Sequence, residues 1–329
     1  MNTRESSSQI AILGVGHLGS RYVQGLLSGS NALNIWLRDP AINSRSAFDS
    51  WRNTYGIDVG RHFVRFSLNN QDSPDHFDLV ISATTADVRY ESLNAFLNGK
   101  TFDYLILEKV LTTGLEDLED LAKLAQRGKE CWVNHQMRLF LHYQRLKTEL
   151  QIVDSIEMVV EGTDWNMASN SSHYCDLLRW LTSEQLVEID CALIEREWRN
   201  SKRVSFLEFT GVLTYRFSGG SGLVLKSRRI AAHEPFSPVT ISIRSSRGCV
   251  TIEEEVGTVR ASWLEEDLQG EFVLQSNLTS NLVGSILATG QCGLPRFKDV
   301  RDDHAMYLQE LFAYRRKVHL NSSRHVRIT

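Results

Sequence analysis

The feature that most constrains the fold is a short apolar run that ends in a glycine-rich turn and continues into a helical pattern. The run covers residues 10–13 (IAIL), and Gly14, Gly16 and Gly19 follow in the order G-x-G-x-x-G. This order is typical of a dinucleotide-binding turn, in which the first glycine allows the tight bend and the second lets the backbone approach a pyrophosphate. The third lets the helix pack closely on the strand. The alternative is an ordinary strand-to-helix turn.

Polar groups on either side of this turn predict how a dinucleotide is held. The helix begins around His17 and Leu18, where unpaired N–H groups and a partial positive charge favour phosphate. Asp39 follows Gly19 by 20 residues, at the end of a predicted second strand, where a carboxylate can accept both ribose hydroxyls. This favours NAD over NADP, although the Arg38 guanidinium can bind a 2′-phosphate. In the alternative interpretation, Asp39 only starts a turn.

Composition excludes several classes of protein. The chain has 329 residues, 42% of them hydrophobic and 23% charged, which predicts a soluble protein of two domains. Its net charge of −4 argues against a nucleic-acid partner. The five cysteines form no C-x-x-C pair, so we expect neither a metal site nor a disulfide framework, and a cytoplasmic location. No apolar run approaches the roughly 18 residues of a membrane span.

The first part of the chain alternates strand-like and helical patterns, which predicts an α/β fold with a doubly wound parallel sheet of the Rossmann type. After the glycine turn, strands are predicted over residues 33–37, 77–82, 104–107 and 132–134. Helices are predicted over residues 88–97 and 115–127. We therefore expect an NAD(P)-binding domain over residues 1–132.

The second part changes character and predicts an α+β domain with a large, mostly antiparallel open sheet. Extended, alternating runs cover residues 155–161, 187–198, 205–217, 222–229, 239–245 and 249–254. Helical patterns cover residues 143–150, 171–181 and 302–317. The glycines at 219–222 predict a hairpin. We assign residues 133–329 to substrate binding and oligomerisation, and expect the last helix to pack back on the first domain.

Polar residues end two of the predicted parallel strands, at the edge of the sheet where ligands bind. Thr84 and Thr85 follow the strand over 77–82, and Glu108 and Lys109 follow the strand over 104–107. All four are candidate cofactor ligands, and the lysine can also polarise a substrate oxygen. The alternatives are that the threonines cap the next helix and that the charged pair is an ion pair on the surface.

His173 and Asp176 are the candidate proton-transfer residues of the second part. The histidine opens the helix over residues 171–181, and Asp176 lies three residues on, on nearly the same face. Histidine is the side chain best suited to exchange a proton with a hydroxyl near neutral pH. The alternatives are a polar cap for His173 and a favourable charge in the first helical turn for Asp176.

Several segments in this order resemble the glucose–fructose oxidoreductase / inositol dehydrogenase (Gfo/Idh/MocA) family of NAD(P)-dependent sugar oxidoreductases. The segments are ILGVGHLGS, DLVISATTADVRYESL, LNGK, LEKVLTTG and SSHYCDLLRWL. The resemblance implies that Lys109 supports the nicotinamide ribose and the substrate, and that His173 transfers the proton. It also implies that Arg138 and Tyr143 contribute to the substrate cleft.

The chain departs from the family pattern at three positions. Val110 replaces a proline after Lys109, so we expect that turn to be built differently. Ser169 stands where an aspartate often precedes the histidine, and Arg89 stands where a histidine is common. The residues expected to assist His173 instead are Asn166, Asn170 and Asp176.

Two further features point to a sugar substrate or its acidic groups. Trp165 could stack on a sugar ring, although core packing is the alternative. A basic cluster could bind a carboxylate or phosphate, and its alternative is a solvated strand edge. The cluster consists of Lys226, Arg228, Arg229 and His233.

The resemblance implies hydride transfer between a nicotinamide and a carbinol or carbonyl carbon of a sugar, sugar nucleotide or cyclitol. Two alternatives stay open: a non-catalytic NAD(P)-binding sensor or regulatory protein, and a nicotinamide-dependent enzyme acting on another small molecule. Because an open sheet face usually needs a partner, we expect a homodimer or homotetramer.

Overall fold

The computed structural model of the chain forms two compact units. The described residues are 7–30, 32–151, 153, 155–203, 205–230, 236–268, 270, 272–319 and 324–329. The first unit comprises Met1–Thr112, Glu116–Asn134 and Val273–Asp299. The second comprises Thr113–Leu115, His135–Phe272 and Val300–Thr329.

The first unit contains a six-stranded parallel sheet in the order β3-β2-β1-β4-β5-β6. Its strands are β1 (Gln9–Leu13), β2 (Asn34–Arg38), β3 (Phe63–Phe66), β4 (His76–Ser82), β5 (Thr101–Leu107) and β6 (Glu130–Val133). The strand order reverses between β1 and β4, and this reversal creates the crevice in which doubly wound sheets bind ligands. The predicted Rossmann-type sheet is confirmed, and β3 is a strand that the sequence patterns did not reveal.

The second unit contains a seven-stranded sheet in the order β15-β14-β13-β7-β12-β11-β8. Its strands, with the short pair β9 and β10, are β7 (Ile156–Thr163), β8 (Leu186–Ile194), β9 (Arg199–Asn200), β10 (Leu207–Glu208), β11 (Gly211–Phe217), β12 (Gly222–Arg228), β13 (Thr240–Ser245), β14 (Gly248–Glu253) and β15 (Thr258–Ala261). Every pair is antiparallel except β7 with β12. The predicted mostly antiparallel sheet and the hairpin between β11 and β12 are therefore confirmed.

Eight α-helices are found in the described residues. They are α1 (His17–Leu27), α2 (Arg45–Tyr55), α3 (Arg89–Phe96), α4 (Leu115–Ala125), α5 (Leu141–Glu149), α6 (Met167–Thr182), α7 (Gln275–Thr289) and α8 (Phe297–His319). In the described part of the chain, none of them has the length and apolar character needed to cross a membrane.

The burial of each sheet explains its sequence pattern. In β1 and β4, Ile10, Ile12, Leu79 and Ile81 are fully buried, as expected of parallel strands covered on both faces. In β7 the burial alternates: Met158 and its alternate neighbours are buried, whereas the residues between them are half-buried or exposed. This alternation leaves one face of the second sheet open, which agrees with an antiparallel sheet packed on one side.

A late segment of the chain, residues 273–299, belongs to the first unit. It contains α7, which the sequence analysis did not identify. A Cβ added to Gly25 of α1 would lie 2.4 Å from the Ser276 backbone oxygen and 2.6 Å from the Thr279 side chain. Glycine at this position therefore allows α1 and α7 to approach closely. The residues of the last helix, α8, belong to both units: its first residues are part of the first unit, and the residues from Val300 onwards are part of the second.

Candidate active-site residues

The glycine turn has the backbone geometry that a phosphate-binding turn needs. Gly14 adopts a φ of +79°, and an added Cβ would lie 2.8 Å from the Thr84 backbone nitrogen. A Cβ on Gly19 would lie 1.9 Å from the Gly14 oxygen. At Gly16, by contrast, an added Cβ meets no atom within 4 Å. The first and third glycines are thus required by the protein's own packing, whereas the second leaves open space at the start of α1.

The N-terminus of α1 is suited to an anion. Gly16 is the N-cap residue and supplies no side-chain hydrogen bond, and the first turn has no acidic residue. His17 is exposed and Leu18 is half-buried. The free N–H groups and the helix dipole at such an end favour a phosphate group.

Asp39 and Arg38 both make hydrogen bonds to the backbone. The Asp39 carboxylate accepts from the Val15 N–H at 2.7 Å and from the Ala41 N–H at 2.8 Å. The first bond holds the carboxylate against the glycine turn, and the second forms the turn that the alternative interpretation expected. The Arg38 guanidinium donates to the backbone oxygens of Ser67, at 2.8 Å, and Leu68.

Arg89 connects the two strand ends that carry the predicted ligands. Its side chain is 1% exposed and donates to the backbone oxygens of Thr84, Val110 and Leu111. A buried guanidinium that bonds three carbonyl groups stabilises the loops after β4 and β5 together. The sequence analysis noted this arginine only as a departure from a family pattern.

Thr84 and Thr85 lie at the end of β4 and do not cap the next helix. The N-cap of α3 is Val88, which makes no side-chain cap bond. The Thr85 hydroxyl instead donates to Asp87 at 2.6 Å, and the Thr84 hydroxyl lies 3.2 Å from the Ser82 hydroxyl. The capping alternative is therefore wrong, and both threonines stay half-buried at the ligand edge of the sheet.

Glu108 belongs to a buried hydrogen-bond network. It is 4% exposed and accepts from the Tyr22 hydroxyl and from the Asn134 amide, each at 2.6 Å. Asn134 also donates to Gln275 at 2.8 Å. Burial and the adjacent carboxylate raise the pKa of Tyr22 well above its ordinary value, so this phenol remains a donor. Glu108 is therefore not part of an ion pair on the surface.

Lys109 follows this anchored carboxylate at the end of β5. Its side chain is half-buried, and Val110 is fully buried beneath the loop. The peptide bond between Lys109 and Val110 is cis. Because valine replaces proline here, the sequence analysis expected only that the turn is built differently.

In the second unit, α6 starts four residues earlier than predicted. It begins at Met167, so His173 lies in the second turn, and the prediction that this histidine opens the helix is wrong. The N-cap is Asn166 in a left-handed conformation, with a φ of +59° and no side-chain cap bond. Asn170 donates to the Trp165 backbone oxygen at 3.0 Å.

Asp176 and Arg138 form a bidentate ion pair. The Arg138 Nε and Nη2 atoms lie 2.8 and 2.5 Å from the two Asp176 carboxylate oxygens, and Asp176 is 2% exposed. Burial raises the pKa of Asp176, and the arginine opposes this shift. Asp176 does not lie in the first turn of α6, so the interpretation as a helix-start charge is wrong. The two residues, predicted for separate roles, are each other's partners.

A second carboxylate lies beside the position where the family aspartate is absent. The Ser169 hydroxyl donates to Glu208 Oε1 at 2.6 Å, and the Ala168 N–H donates to Oε2 at 2.8 Å. Glu208 comes from β10 and is 2% exposed. The first turn of α6 therefore holds a carboxylate through Ser169, although no acidic residue occupies position 169.

His173 belongs to a cluster of three histidines that the sequence analysis missed. The Nδ1 atoms of His135 and His173 lie 3.3 Å apart, with the two rings edge to face. The His304 ring lies 5.6 Å from the His135 ring, centroid to centroid. His135 is the second residue after β6, as Lys109 is the second after β5, so the strand-end rule that identified Lys109 could have identified it.

Acidic and basic groups surround this histidine cluster. Asp303 pairs with Arg179 at 2.7 Å, and burial raises the pKa of Asp303 to about 6. A small cavity of about 10 Å³ is lined by His135, Ser172, Asp176, Asp303 and His304, among others. That volume suits about one water molecule.

Tyr143 and Trp165 lie in the core of the second unit. Tyr143 is 1% exposed and stacks on Phe140. Trp165 is 6% exposed, donates to the Lys226 backbone oxygen at 2.9 Å and packs edge-on against Tyr174. These surroundings favour core packing for both, rather than the predicted roles of Tyr143 in the substrate cleft and of Trp165 against a sugar ring.

The basic residues of β12 are paired with carboxylates or hydroxyls. Lys226 lies 4.0 Å from Glu161, and Arg228 donates to the Ser237 hydroxyl at 3.1 Å. Arg229 forms ion pairs with Glu195 at 3.0 Å and with a second glutamate. His233 lies outside the described residues. The pairing argues against an anion site. The alternative of a strand edge is wrong as well, because β12 lies between β7 and β11 in the sheet.

One group among the described residues has donor atoms close enough for a metal ion: His76, Asp78 and Asp103. The ammonium group of Lys129 lies 2.8 Å from Asp103 and supplies a positive charge there. The group lies at the amino-terminal part of β4 and β5, opposite the ligand edge of the sheet, and we assign no function to it.

Comparison with known proteins finds similar folds at low sequence identity. No protein-family model and no curated protein matches the sequence. Among solved structures, UDP-N-acetylglucosamine 3-dehydrogenase from Acidithiobacillus ferrooxidans is similar with a TM-score of 0.68 at 15% identity, over 93% of this chain and 97% of that one. The apo scyllo-inositol dehydrogenase from Lactobacillus casei gives a TM-score of 0.60 at 18% identity, over 93% and 94%.

A third similar structure was solved with a nicotinamide cofactor. It is an oxidoreductase from Agrobacterium radiobacter in complex with NAD⁺, L-tartaric acid and magnesium, with a TM-score of 0.67 at 12% identity, over 92% of this chain and 94% of that one. The similar structures include dehydrogenases of the Gfo/Idh/MocA type. The resemblance stated from the sequence is therefore confirmed at the level of the fold.

Proposed function

We propose that this chain is an NAD(P)-dependent oxidoreductase that transfers a hydride between a nicotinamide and a carbinol or carbonyl carbon of a sugar, sugar nucleotide or cyclitol. The observation that carries the proposal is the ligand edge of the first sheet. There, the open N-terminus of α1 at Gly16 follows β1, and Lys109 lies just after the end of β5. The first unit is the cofactor unit in this proposal, and the second holds the substrate.

The residues of the first unit fit a dinucleotide. The open space at Gly16 and the N–H groups at the start of α1 would hold the pyrophosphate. Thr84, Thr85 and Lys109 would hold the nicotinamide half, and Glu108 would act by anchoring the end of β5. When bound, the nicotinamide supplies or accepts the hydride.

We propose NAD rather than NADP as the cofactor. The Asp39 carboxylate is fixed next to the glycine turn by the Val15 N–H. A carboxylate there favours ribose hydroxyls and repels a 2′-phosphate. The Arg38 guanidinium, which would favour NADP, donates instead to two backbone oxygens after β3.

Two side chains would act directly on the substrate. The Lys109 ammonium group would stabilise negative charge that develops on the substrate oxygen. The His173 imidazole would exchange the hydroxyl proton. Asn166 and Asn170 would contact the substrate, and the buried Asp176–Arg138 pair would stabilise α6, which carries the histidine.

The test is a fluorescence titration of the full-length protein with NADH and NADPH, followed by turnover with a panel of sugars, sugar nucleotides and cyclitols. We expect tighter binding of NADH. Lys109→Ala should weaken binding about tenfold or more, whereas His173→Ala should keep binding and lose turnover by roughly 10²–10⁴-fold.

The matched control is Lys123→Ala, at an exposed lysine of α4, which should leave binding and turnover unchanged. Absence of binding of either cofactor to the folded protein would overturn the proposal. Binding without turnover across the panel would support the alternative, a non-catalytic NAD(P)-binding sensor or regulatory protein.

We further propose a homodimer or homotetramer formed through the open face of the second sheet, in a reducing, cytoplasmic environment. Val187 and Leu193 of β8 are 51% and 68% exposed, and burying such side chains stabilises association. The free cysteines support the reducing environment. Size-exclusion chromatography with light scattering measures the mass in solution. A monomeric mass would overturn the proposed oligomer.

A further inference from the structure

The closest pair of imidazoles described in the second unit is His135 and His173. Their Nδ1 atoms lie 3.3 Å apart and the rings meet at 84°. We propose that His135 is a positioning residue for His173: it accepts a hydrogen bond from the Nδ1–H of His173 and so leaves Nε2 of His173 to exchange the substrate proton. This inference rests on the proposed function, in which His173 carries that proton.

The short distance couples the protonation of the two rings. A neutral imidazole has one donor and one acceptor nitrogen, and an imidazolium has two donors. Two Nδ1 atoms in hydrogen-bond contact can share only one proton, so the pair excludes a state in which both rings are imidazolium. Either His135 or His173 must therefore be the neutral acceptor whenever the pair carries a charge.

Burial decides which ring is the acceptor. His135 is 1% exposed, whereas His173 is half-buried. Burial disfavours the charged form of a histidine, so the positive charge of the pair belongs on His173. A charged donor also forms the stronger hydrogen bond, and His173 donates through Nδ1 in that state.

The groups facing His135 agree with a neutral ring. The titratable side chains that line the same cavity are Cys175, Asp176, Tyr215, Asp303, His304 and Tyr307. The two carboxylates are already paired, Asp176 with Arg138 and Asp303 with Arg179. The Nδ1 atom of His304 lies 3.0 Å from the Val300 backbone oxygen. Because a carbonyl oxygen only accepts hydrogen bonds, Nδ1 of His304 is the protonated nitrogen of that ring.

The proton balance follows from this arrangement. During substrate oxidation, the hydroxyl O–H bond breaks and its proton passes to Nε2 of His173, which becomes an imidazolium. The proton on Nδ1 stays in its hydrogen bond with Nδ1 of His135. During reduction the Nε2 proton returns to the substrate oxygen. His135 thus orients His173 and selects its tautomer without itself gaining or losing a proton.

The experiment compares two variants of nearly equal size. His135→Gln keeps an acceptor for the Nδ1–H of His173, and His135→Met removes it. Long-range ¹⁵N–¹H NMR spectra of the full-length protein with saturating cofactor report which nitrogen carries the proton. We expect neutral His173 to be protonated on Nδ1 in the native protein and in His135→Gln, and to shift to the Nε2–H tautomer in His135→Met.

Kinetics give a second readout. His135→Met should lower kcat about tenfold to a hundredfold, part of the roughly 10²–10⁴-fold that a positioned acid–base group contributes, with an unchanged KM for the cofactor. The acid limb of its pH–rate profile should move to lower pH, because the imidazolium loses a charged hydrogen bond. His135→Gln should stay within a few-fold of native, and His76→Gln, at an exposed histidine, should change nothing.

Three results overturn the inference: native His173 protonated on Nε2, identical tautomers in the two His135 variants, or a native kcat in His135→Met. If the protein turns over no substrate, the proposed function fails separately. The NMR comparison still decides whether His135 sets the tautomer of His173.

Discussion

The ligand edge of the first unit and the histidine cluster of the second are built by different means. The first uses backbone: glycines that leave room, a helix end and strand termini. The second uses side chains that are charged or titratable and mostly buried, namely the Arg138–Asp176 pair, Asp303 and His135. A site of the first kind depends on local conformation, whereas a site of the second kind depends on how buried charges are compensated.

The largest effect on the free energy of unfolding is expected at the buried Arg138–Asp176 ion pair. Asp176→Ala leaves the Arg138 guanidinium, whose side chain is 14% exposed, without its carboxylate partner. We expect the free energy of unfolding to fall by about 3–5 kcal/mol, and the double variant Arg138→Met/Asp176→Leu to recover most of it. Urea unfolding measures both.

The control for this prediction is an exposed pair. Arg45 and Asp49 of α2 have side chains 72% and 48% exposed, so Asp49→Ala should cost less than about 1 kcal/mol. Equal losses in Asp176→Ala and Asp49→Ala would show that burial of charge does not distinguish the two regions.

The next effect is a pH dependence that originates in the second unit. Burial raises the pKa of the Asp303 carboxyl from 3.8 to about 6, and Arg179 opposes the shift. The folded state therefore binds this proton more tightly than the unfolded state. The stabilising contribution is complete below the unfolded pKa and is lost as pH rises through the folded one.

Asp303→Asn removes this titration and tests it. Between about pH 4 and pH 7 we expect the variant to gain up to about 3 kcal/mol of stability relative to the native protein, because each pKa unit corresponds to about 1.4 kcal/mol. The loss of the carboxylate partner of Arg179 is a separate cost that this pH-dependent gain offsets. This relative gain of the variant should vanish as the pH falls to about 4. Parallel stability curves over this range in urea unfolding would contradict the prediction.

A smaller loss of stability is expected in the glycine turn. Gly19→Ala would place a Cβ 1.9 Å from the Gly14 oxygen, so backbone must shift. Overpacking of this kind costs about 1–3 kcal/mol. Thermal unfolding without cofactor measures it, and an unchanged midpoint would show that the turn adapts.

The smallest effect on stability is expected at Gly16. An added Cβ there meets no protein atom within 4 Å, so Gly16→Ala should change the free energy of unfolding by less than about 1 kcal/mol. Because the methyl group would occupy the space that we propose for the pyrophosphate, we expect NADH to bind about tenfold more weakly. Unchanged affinity in a fluorescence titration would remove the phosphate assignment from this turn.

Elements with a strong local period were predictable. The glycine turn, the parallel strands β1, β4 and β5, and the hairpin between β11 and β12 follow from patterns within a few residues. The weaker elements were missed: β3 has only four residues, none of them buried, and α7 belongs to the first unit although it follows the second sheet in sequence. The start of α6 was misjudged because Asn166 adopts a left-handed conformation that a residue list does not reveal.

The sequence by itself determined the alternation of strands and helices after the glycine turn, the mostly antiparallel second sheet, the glycine positions, and the chemical types at the strand ends and on α6. Apolar periodicity and turn residues act over short distances, so they can be read along the chain. Only the tertiary structure decided the partners: Glu108 with Tyr22 and Asn134, Arg89 with two loops, and His135 with His173. The burial and hydrogen bonding of these groups depend on residues that are tens of positions apart in sequence. Because burial and hydrogen bonds control the charge and proton affinity of a side chain, the chemistry of these groups could not be read along the chain.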